Sequence, residues 1–519
     1  MEFSTIDIVA FVGFLLLVIG VSLWASRKEE TSEDYFLAGR GLSWWVIGLS
    51  LIASNISTEH FIGMAGQGFS EVGLAIASYE WIAAFTLILV ALFLLPRFLR
   101  SGIYTIPEFL EYRYNRTART LMSVFMLFFY VAVTMATVLF AGAKALHLLF
   151  GVQMGVGIWV IGLIAGLYTV YGGLKAVVWS DVVQGSTLML GGMLVTYLGF
   201  EEMGGVDVFL ETAKDRLHTV MPADHPDLPW VAVFFGGMWI PNIFYWGLNQ
   251  FITQRTLAAK DLEEGQKGIL FGASLKLLIP FIIVFPGIMA FELYGDEILA
   301  LGGGDMKKSM DFAYPFLFQK LLPTGLLGIM LAALFGATMS TLDSLLNSSA
   351  TIFTMDIYKP YIKPEGEAKH LVKVGRITTL VLMVFACLWA PILSTFDGGI
   401  YEFIQKFWGF VQPGLVAAFL FGILWKKVPS FAAIGGILLS FPVYGGLLYA
   451  FPDVAFLHHM AITFVAVSVF ITISTLIKPL KVPVVMPVKR EISTRPSKLV
   501  IVWSVLVALA TISLYWIFR

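Results

Sequence analysis

Apolar stretches long enough to cross a bilayer recur from one end of this chain to the other. At ~20 residues per span they fall near 5–25, 42–68, 72–96, 118–149, 152–171, 177–200, 230–251, 266–292, 323–355, 371–394, 401–425, 428–450, 455–477 and 498–518, about 14 in all. Backbone groups in lipid must find their partners inside helices or closed barrels, and runs of this length specify helices. Composition agrees: 58% of residues are hydrophobic and 13% charged, too few charges to coat a soluble surface. The expected fold class is an all-α polytopic membrane protein. The connections are too short to fold alone, so residues 1–519 form one transmembrane domain. The N-terminus lacks a basic region before its apolar run, so 5–25 reads as a retained accessory span rather than a signal peptide. Cys387 stands alone, which excludes an intrachain disulfide.

Charge placement orients the spans. Lys and Arg concentrate in the connections holding Arg27/Lys28/Arg40, Arg97–Arg119, Lys175, Arg255/Lys260/Lys267, Lys359–Arg376, Lys426/Lys427 and 478–498, which carry 25 of the 34 basic residues. All of these fall on one side of the span order, while the connections on the other side, such as 201–229, are acidic or short. By the positive-inside rule the basic side is cytoplasmic, and both termini are expected outside a cell (inner) membrane. No nucleotide-binding loop and no His pair at haem or zinc spacing occurs, so ATP-driven pumping and redox chemistry find no support.

One span breaks the apolar rule. Within 42–68 the centre reads Ala53-Ser54-Asn55-Ile56-Ser57-Thr58-Glu59-His60. Six polar side chains at mid-depth serve no lipid-facing purpose, and Ser, Asn and Thr compete for backbone hydrogen bonds. A helix unwound near the midplane and facing a wet cavity is one reading; a polar seam between helices is the other. Further ionisable groups lie in apolar surroundings: Glu80 after Ser78-Tyr79, Asp181 in Trp179-Ser180-Asp181, and Lys276 within Leu270–Ile283. Intramembrane charge is costly and marks a functional candidate. Asp181 at a span start also reads as a helix N-cap, and Lys276 as half of a structural ion pair. In the 336–349 stretch, Ser340, Asp343, Ser344 and Asn347 recur at three and four residues, aligning their oxygens on one helical stripe. Hydroxyls, freed carbonyls and a carboxylate suit a hard cation such as sodium; packing against a neighbouring helix is the plain alternative. Tyr79, Trp81, Tyr245, Trp246, Phe403, Phe407 and Trp408 lie near these groups in sequence. They fit stacking on a sugar ring, or an interfacial belt.

Several of these stretches resemble the solute:sodium symporter family. They are Asn55–Met64 (NISTEHFIGM), Ala75–Trp81 (AIASYEW), Val178–Asp181, Gln254–Lys260, Asn347–Tyr358 (NSSATIFTMDIY) and Phe421–Lys427. Within that family the chain is most similar to bacterial sodium/glucose–galactose-type cotransporters, in order from about residue 30 to 480. The resemblance implies a LeuT-type five-plus-five inverted repeat, with 42–200 and 230–425 as the repeats and 428–518 as accessory spans. It implies a sodium site on the carbonyls of Ala53, Ile56 and Ala337 and the hydroxyls of Ser340 and Thr341. Sugar-binding positions would be Asn55, His60, Glu80, Asn242, Lys276 and Gln405. Tyr245 would form the inner gate, and Met64, Tyr79 and Tyr401 the outer lid. A second cation position on Asp181, Ser340, Asp343 and Ser344 is also implied, with a structural Asp343 as its alternative. Departures from the bacterial galactose pattern are His60 for Gln, Thr134 for Asn, Ala83 for Ser and the extra Asp343.

The activity implied is sodium-coupled import of a glucose- or galactose-like sugar by alternating access. Na+ is the coupling ion, the partners are the bilayer and a small polar solute, and neither nucleic acid nor covalent catalysis is involved. The same scaffold carrying sialic acid, inositol, a nucleoside or an amino acid stays open, as does proton coupling through Asp343, Asp181 and His60. A polytopic enzyme or sensor would need interfacial catalytic groups or a soluble domain, which the loops do not offer.

Overall fold

The computed structural model describes residues 4–26, 31–57, 59–395, 400–492 and 494–519, without the side chains of 148–150, 394–395 and 400–403. Among the described residues there is no strand, only an isolated bridge between Leu42 and Ala259. Eleven helices among the described residues are long and apolar enough to cross a bilayer, and two shorter apolar ones, Trp44–Asn55 and Gln412–Leu424, join them.

One of the eleven, Met154–Met203, runs for 50 residues. A straight helix of that length would measure about 75 Å, against a hydrocarbon core of ~30 Å, so the chain must turn. It turns at Gly173 (φ 51, ψ −149), where an added Cβ would lie 2.4 Å from the Tyr35 carbonyl oxygen. Division there restores the spans expected at 152–171 and 177–200 and brings the segments to the fourteen expected. The Lys175 connection is thus a pivot within helix rather than a loop.

The first and sixth of these segments after the accessory span at Thr5–Ala25 carry matching breaks. Trp44–Asn55 ends at extended Ile56 (φ −78, ψ 109) before the helix resumes at His60. Trp239–Ile243 and the wide turn Phe244–Leu248 end at extended Asn249 (φ −85, ψ 116) before Gln250–Leu257. The sequence reading gave the first break but took 230–251 as a continuous span. Between them runs Leu326–Ile352, every residue of which from Met330 onward is buried, the mark of a helix at the centre of the bundle.

The two ends of the molecule differ in chemistry. At one end the last residues meet the 201–229 connection, where Thr219 donates from its N–H and Oγ1 to the Phe518 carbonyl at 2.8 and 2.7 Å. Asp7 lies at that end too, its Oδ1 accepting from the Gly325 and Gly328 N–H groups at 2.7 and 3.1 Å. Both chain ends therefore share one face. The opposite end holds most of the arginines, and four of those counted as loop charge are buried: Arg40, Arg113, Arg119 and Arg255 are 7%, 2%, 8% and 0% exposed. Arg40 donates to the Ile103 and Leu257 carbonyls at 3.0 and 3.1 Å. Arg113 donates to those of Gly422, Trp425 and Val428 at 2.6, 2.8 and 3.2 Å. Such carbonyls at helix C-termini lack intrahelical partners, so these side chains cap helices rather than face water.

Candidate functional site

The break at Ile56 sets the site. Ile56 N–H still reaches the Ile52 carbonyl at 2.8 Å, but Ser57 N–H turns to His60 Nδ1 at 3.4 Å and Glu59 N–H to Ser57 Oγ at 3.2 Å. The Ala53 carbonyl thereby loses its helical donor. Thr341 Oγ1, on the central helix, donates to the Ser54 and Ala337 carbonyls at 3.3 and 3.2 Å. Gly185 lets the 174–203 helix approach: a Cβ there would stand 2.7 Å from Ala53 Cβ. Thr341 thus ties the central helix to the backbone at the break, and Ser340, one residue before it, donates to Asp181 Oδ1 at 2.5 Å; hydroxyl and carbonyl oxygens of this kind suit sodium.

On one side of the break lies a cavity of about 100 Å³. Its wall includes Asn55, His60, Glu80, Asn242, Lys276 and Gln405, the six positions expected to read the solute, together with Tyr79 and Tyr245. Lys276 Nζ is in contact with Glu80 Oε2 and Asn55 Oδ1, and lies 4.9 Å from the Trp246 ring centre. His60 Nε2 is 3.7 Å from Glu80 Oε1. Asn55 Nδ2 donates to Tyr245 Oη at 3.1 Å, joining the two broken helices beneath the cavity. Lys276 is thus both an ion-pair partner and a cavity residue. Trp246, Phe251, Ile404 and Trp408 supply apolar faces. Thr134 is engaged by Trp408, whose Nε1 donates to its Oγ1 at 3.1 Å.

On the other side lies a fully buried ionic cluster. Asp181 is 0% exposed within Met154–Met203, so its N-cap reading falls. Its Oδ1 accepts from Ser340 Oγ at 2.5 Å, and its Oδ2 from Ser50 and Ser54 Oγ at 2.5 and 3.0 Å and from Arg255 Nη2 at 3.3 Å. Arg255 also donates to Ser344 Oγ at 2.8 Å and Ser50 Oγ at 2.8 Å. Asp343 accepts from Tyr168 Oη at 2.5 Å, Ser180 Oγ at 3.3 Å and Ser344 Oγ at 3.3 Å. Two carboxylates and one guanidinium leave one formal negative charge among hydroxyls.

The family model for the sodium:solute symporter family matches residues 35–440. The chain belongs to this family. A sodium/glucose cotransporter of Vibrio parahaemolyticus is 44% identical over 494 residues, covering 91% of this chain and 90% of that protein. A mouse sodium/myo-inositol cotransporter 2 is 36% identical over 84% of this chain and 68% of its own length. Among solved structures, a substrate-bound, outward-open Na+-coupled sialic acid symporter superposes with a TM-score of 0.82 at 24% identity, over 94% of this chain and all of that one. The symporter has the LeuT-type fold, sodium is its coupling ion, and it is a membrane transporter of a small solute, not an enzyme.

Of the other expected site residues, Met64 is buried at 1% exposure and does not line the cavity, while the side chains of Tyr401 and Phe403 lie outside the described ones. Trp81 is likewise absent from the cavity wall; its Nε1 donates to the Leu277 carbonyl at 3.4 Å and its ring meets Tyr515. Phe407 is 37% exposed and also outside the lining. Asn347, fourth member of the expected stripe, has no partner for its amide among the described residues. Sequence reasoning missed Ser50, Tyr168 and, above all, Arg255 as cluster members.

Proposed function

We propose that this symporter imports a neutral monosaccharide of the glucose–galactose class with sodium. The observation that carries this reading is the meeting of Asn55, His60, Glu80, Asn242, Lys276 and Gln405 in one cavity beside Tyr79, Tyr245 and Trp408. Amides and paired charges suit hydroxyls, and ring faces suit the apolar sides of a pyranose. The Vibrio relative's description as a sodium/glucose cotransporter supports the same class.

In this reading, the carbonyls of Ala53, Ile56 and Ala337 and the hydroxyls of Ser340 and Thr341 bind sodium. The repeats are 42–200 and 230–425, beginning with the two broken helices. Sodium across the first break orders Asn55 and His60 for the solute; ion and solute favour the same states, and that coupling is reciprocal. Tyr79 closes above, and Tyr245 gates the exit. Each sodium charge moving inward gains ~2.3 kcal/mol per 100 mV. The excess negative charge around Asp181, Asp343, Ser340 and Ser344 supports a second cation there. The basic end is cytoplasmic and both termini are extracytoplasmic, consistent with their shared face.

The test is uptake of labelled glucose and galactose into proteoliposomes under an inward sodium gradient, with potassium as control and myo-inositol and sialic acid as competitors. Sodium-dependent accumulation displaced by one hexose is the expected result. Displacement by inositol alone moves the substrate to cyclic polyols, as the mouse relative suggests. Uptake driven by a pH gradient without sodium overturns the ion assignment.

A further inference from the structure

Glu59 sits on the helix break and lines the cavity, yet the solute and sodium assignments leave it without a task. Its Oε1 is buried with no hydrogen-bond partner, and no ion pair reaches the carboxylate among the described residues. The other charges of the cavity are already spoken for. Lys276 holds Glu80 and Asn55, and His60 Nε2 lies 3.7 Å from Glu80 Oε1. The remaining polar wall, hydroxyls and amides such as Ser57, Thr134, Asn242, Asn249, Gln405 and Gln412, is uncharged. Among the described residues of the wall no cation is therefore left to receive an acidic solute, while one carboxylate stands ready to accept a hydrogen bond. Glu59 N–H is fixed to Ser57 Oγ at 3.2 Å, so the side chain starts from a held backbone rather than a mobile loop.

We propose that the Glu59 carboxylate accepts a hydroxyl of the bound solute and turns away solutes bearing a carboxylate, so that the cavity selects neutral polyols. This rests on reading the cavity as the solute site. A hydroxyl donated to an ionised acceptor is among the stronger hydrogen bonds. A second carboxylate beside an unpaired one meets like-charge repulsion that water screens poorly in so enclosed a place. Glu80 cannot perform this exclusion, because Lys276 neutralises it.

The experiment compares the wild-type protein with Glu59→Gln and Glu59→Asp in sodium-driven hexose uptake, with the hexose and its hexuronate as competitors. Glu59→Gln is expected to raise the hexose KM roughly ten-fold with little change in maximal rate. It should also let the hexuronate compete where the wild type excludes it. Glu59→Asp keeps the charge and should keep the exclusion. A sodium-induced change in tryptophan fluorescence in detergent reports that each variant is folded; should Glu59→Gln lack it, Glu59→Ser carries the same comparison. Unchanged hexose KM and continued hexuronate exclusion in the neutral variants overturn the proposal alone. A wild type that prefers the hexuronate to the hexose overturns it together with the neutral-sugar reading.

Discussion

The broken helix serves two polar centres that differ in how their charge is balanced and wetted. The cavity pairs Lys276 with Glu80 and surrounds them with amides and aromatic faces. The neighbouring cluster holds Asp181 and Asp343 against Arg255 alone, all 0% exposed, and satisfies the surplus with the hydroxyls of Ser50, Ser54, Ser180, Ser340, Ser344 and Tyr168. Charge in a membrane interior persists only where it is paired or used. A closed pair beside open space suits an uncharged solute with many hydroxyls. A dry cluster with surplus negative charge suits a cation. Two centres a few residues apart on one chain segment can thus take different cargo, and the break between them makes each sensitive to the other.

The sharpest way to break this contrast is to remove a cation from each centre. Arg255→Met strands two carboxylates in a dry interior, where loss of one ion-pair partner costs ~3–5 kcal/mol. Little folded, monodisperse protein is expected after detergent extraction, and adding Asp181→Asn to the same chain should restore much of it. Equal yields from the single and double variants would deny that the charge, rather than the packing of Arg255, holds the cluster. Lys276→Met removes the cavity's cation where the solute or water can stand in. The protein should extract normally and still respond to sodium in tryptophan fluorescence, while apparent sugar affinity falls by at least ~30-fold. Normal uptake by that variant would remove Lys276 from the solute site.

The contrast was half visible in the amino-acid order. Polar residues in an apolar span stand out, so Ala53–His60 announced its break and Asn55, His60, Glu80 and Lys276 announced themselves as buried groups. Arg255 did not, because an arginine at the edge of an apolar run is counted as loop charge. Only the turn at Asn249 carries it back into the bundle, to meet Asp181 at 3.3 Å. Asn249 itself was hidden: two adjacent amides, Asn249 and Gln250, at the end of an apolar run are too weak a polar signal to mark an unwound turn. Trp81 was misplaced for a geometric reason. It follows Tyr79 by two positions in Ser78–Leu89, which on a helix is roughly 200° around. Tyr79 lines the cavity while Trp81 backs onto Leu277 and Tyr515. Nearness in sequence gave the element but not the face.

A smaller perturbation separates the ion from the solute. Ser340→Ala and Thr341→Ala each delete one hydroxyl from the proposed sodium site. The sodium concentration for half-maximal uptake should rise by ~3- to 10-fold, whereas sugar KM at saturating sodium should stay near the wild-type value. Ser340 also donates to Asp181, so its variant should shift more than Thr341→Ala, whose hydroxyl bonds only carbonyls. Unchanged sodium dependence in both would sink the assignment of the ion to the break.

The smallest expected effect lies where the two broken helices meet. Tyr245→Phe deletes the hydroxyl that accepts from Asn55 Nδ2 at 3.1 Å and leaves the ring in place. The loss of one neutral hydrogen bond is worth about 1 kcal/mol, too little to disturb the fold. Asn55 also holds Lys276 through its Oδ1, so the amide loses its anchor to the second broken helix but keeps its link to the cavity. If Tyr245 is the exit gate, that weakening favours the state in which the gate stands open. Sugar efflux from preloaded vesicles should then quicken several-fold while uptake KM changes by less than ~3-fold. If Tyr245 is merely part of the floor, efflux and uptake should slow together as Asn55 loses its orientation. The ratio of the two rates, rather than either alone, therefore decides whether the link across the breaks is a latch or a support.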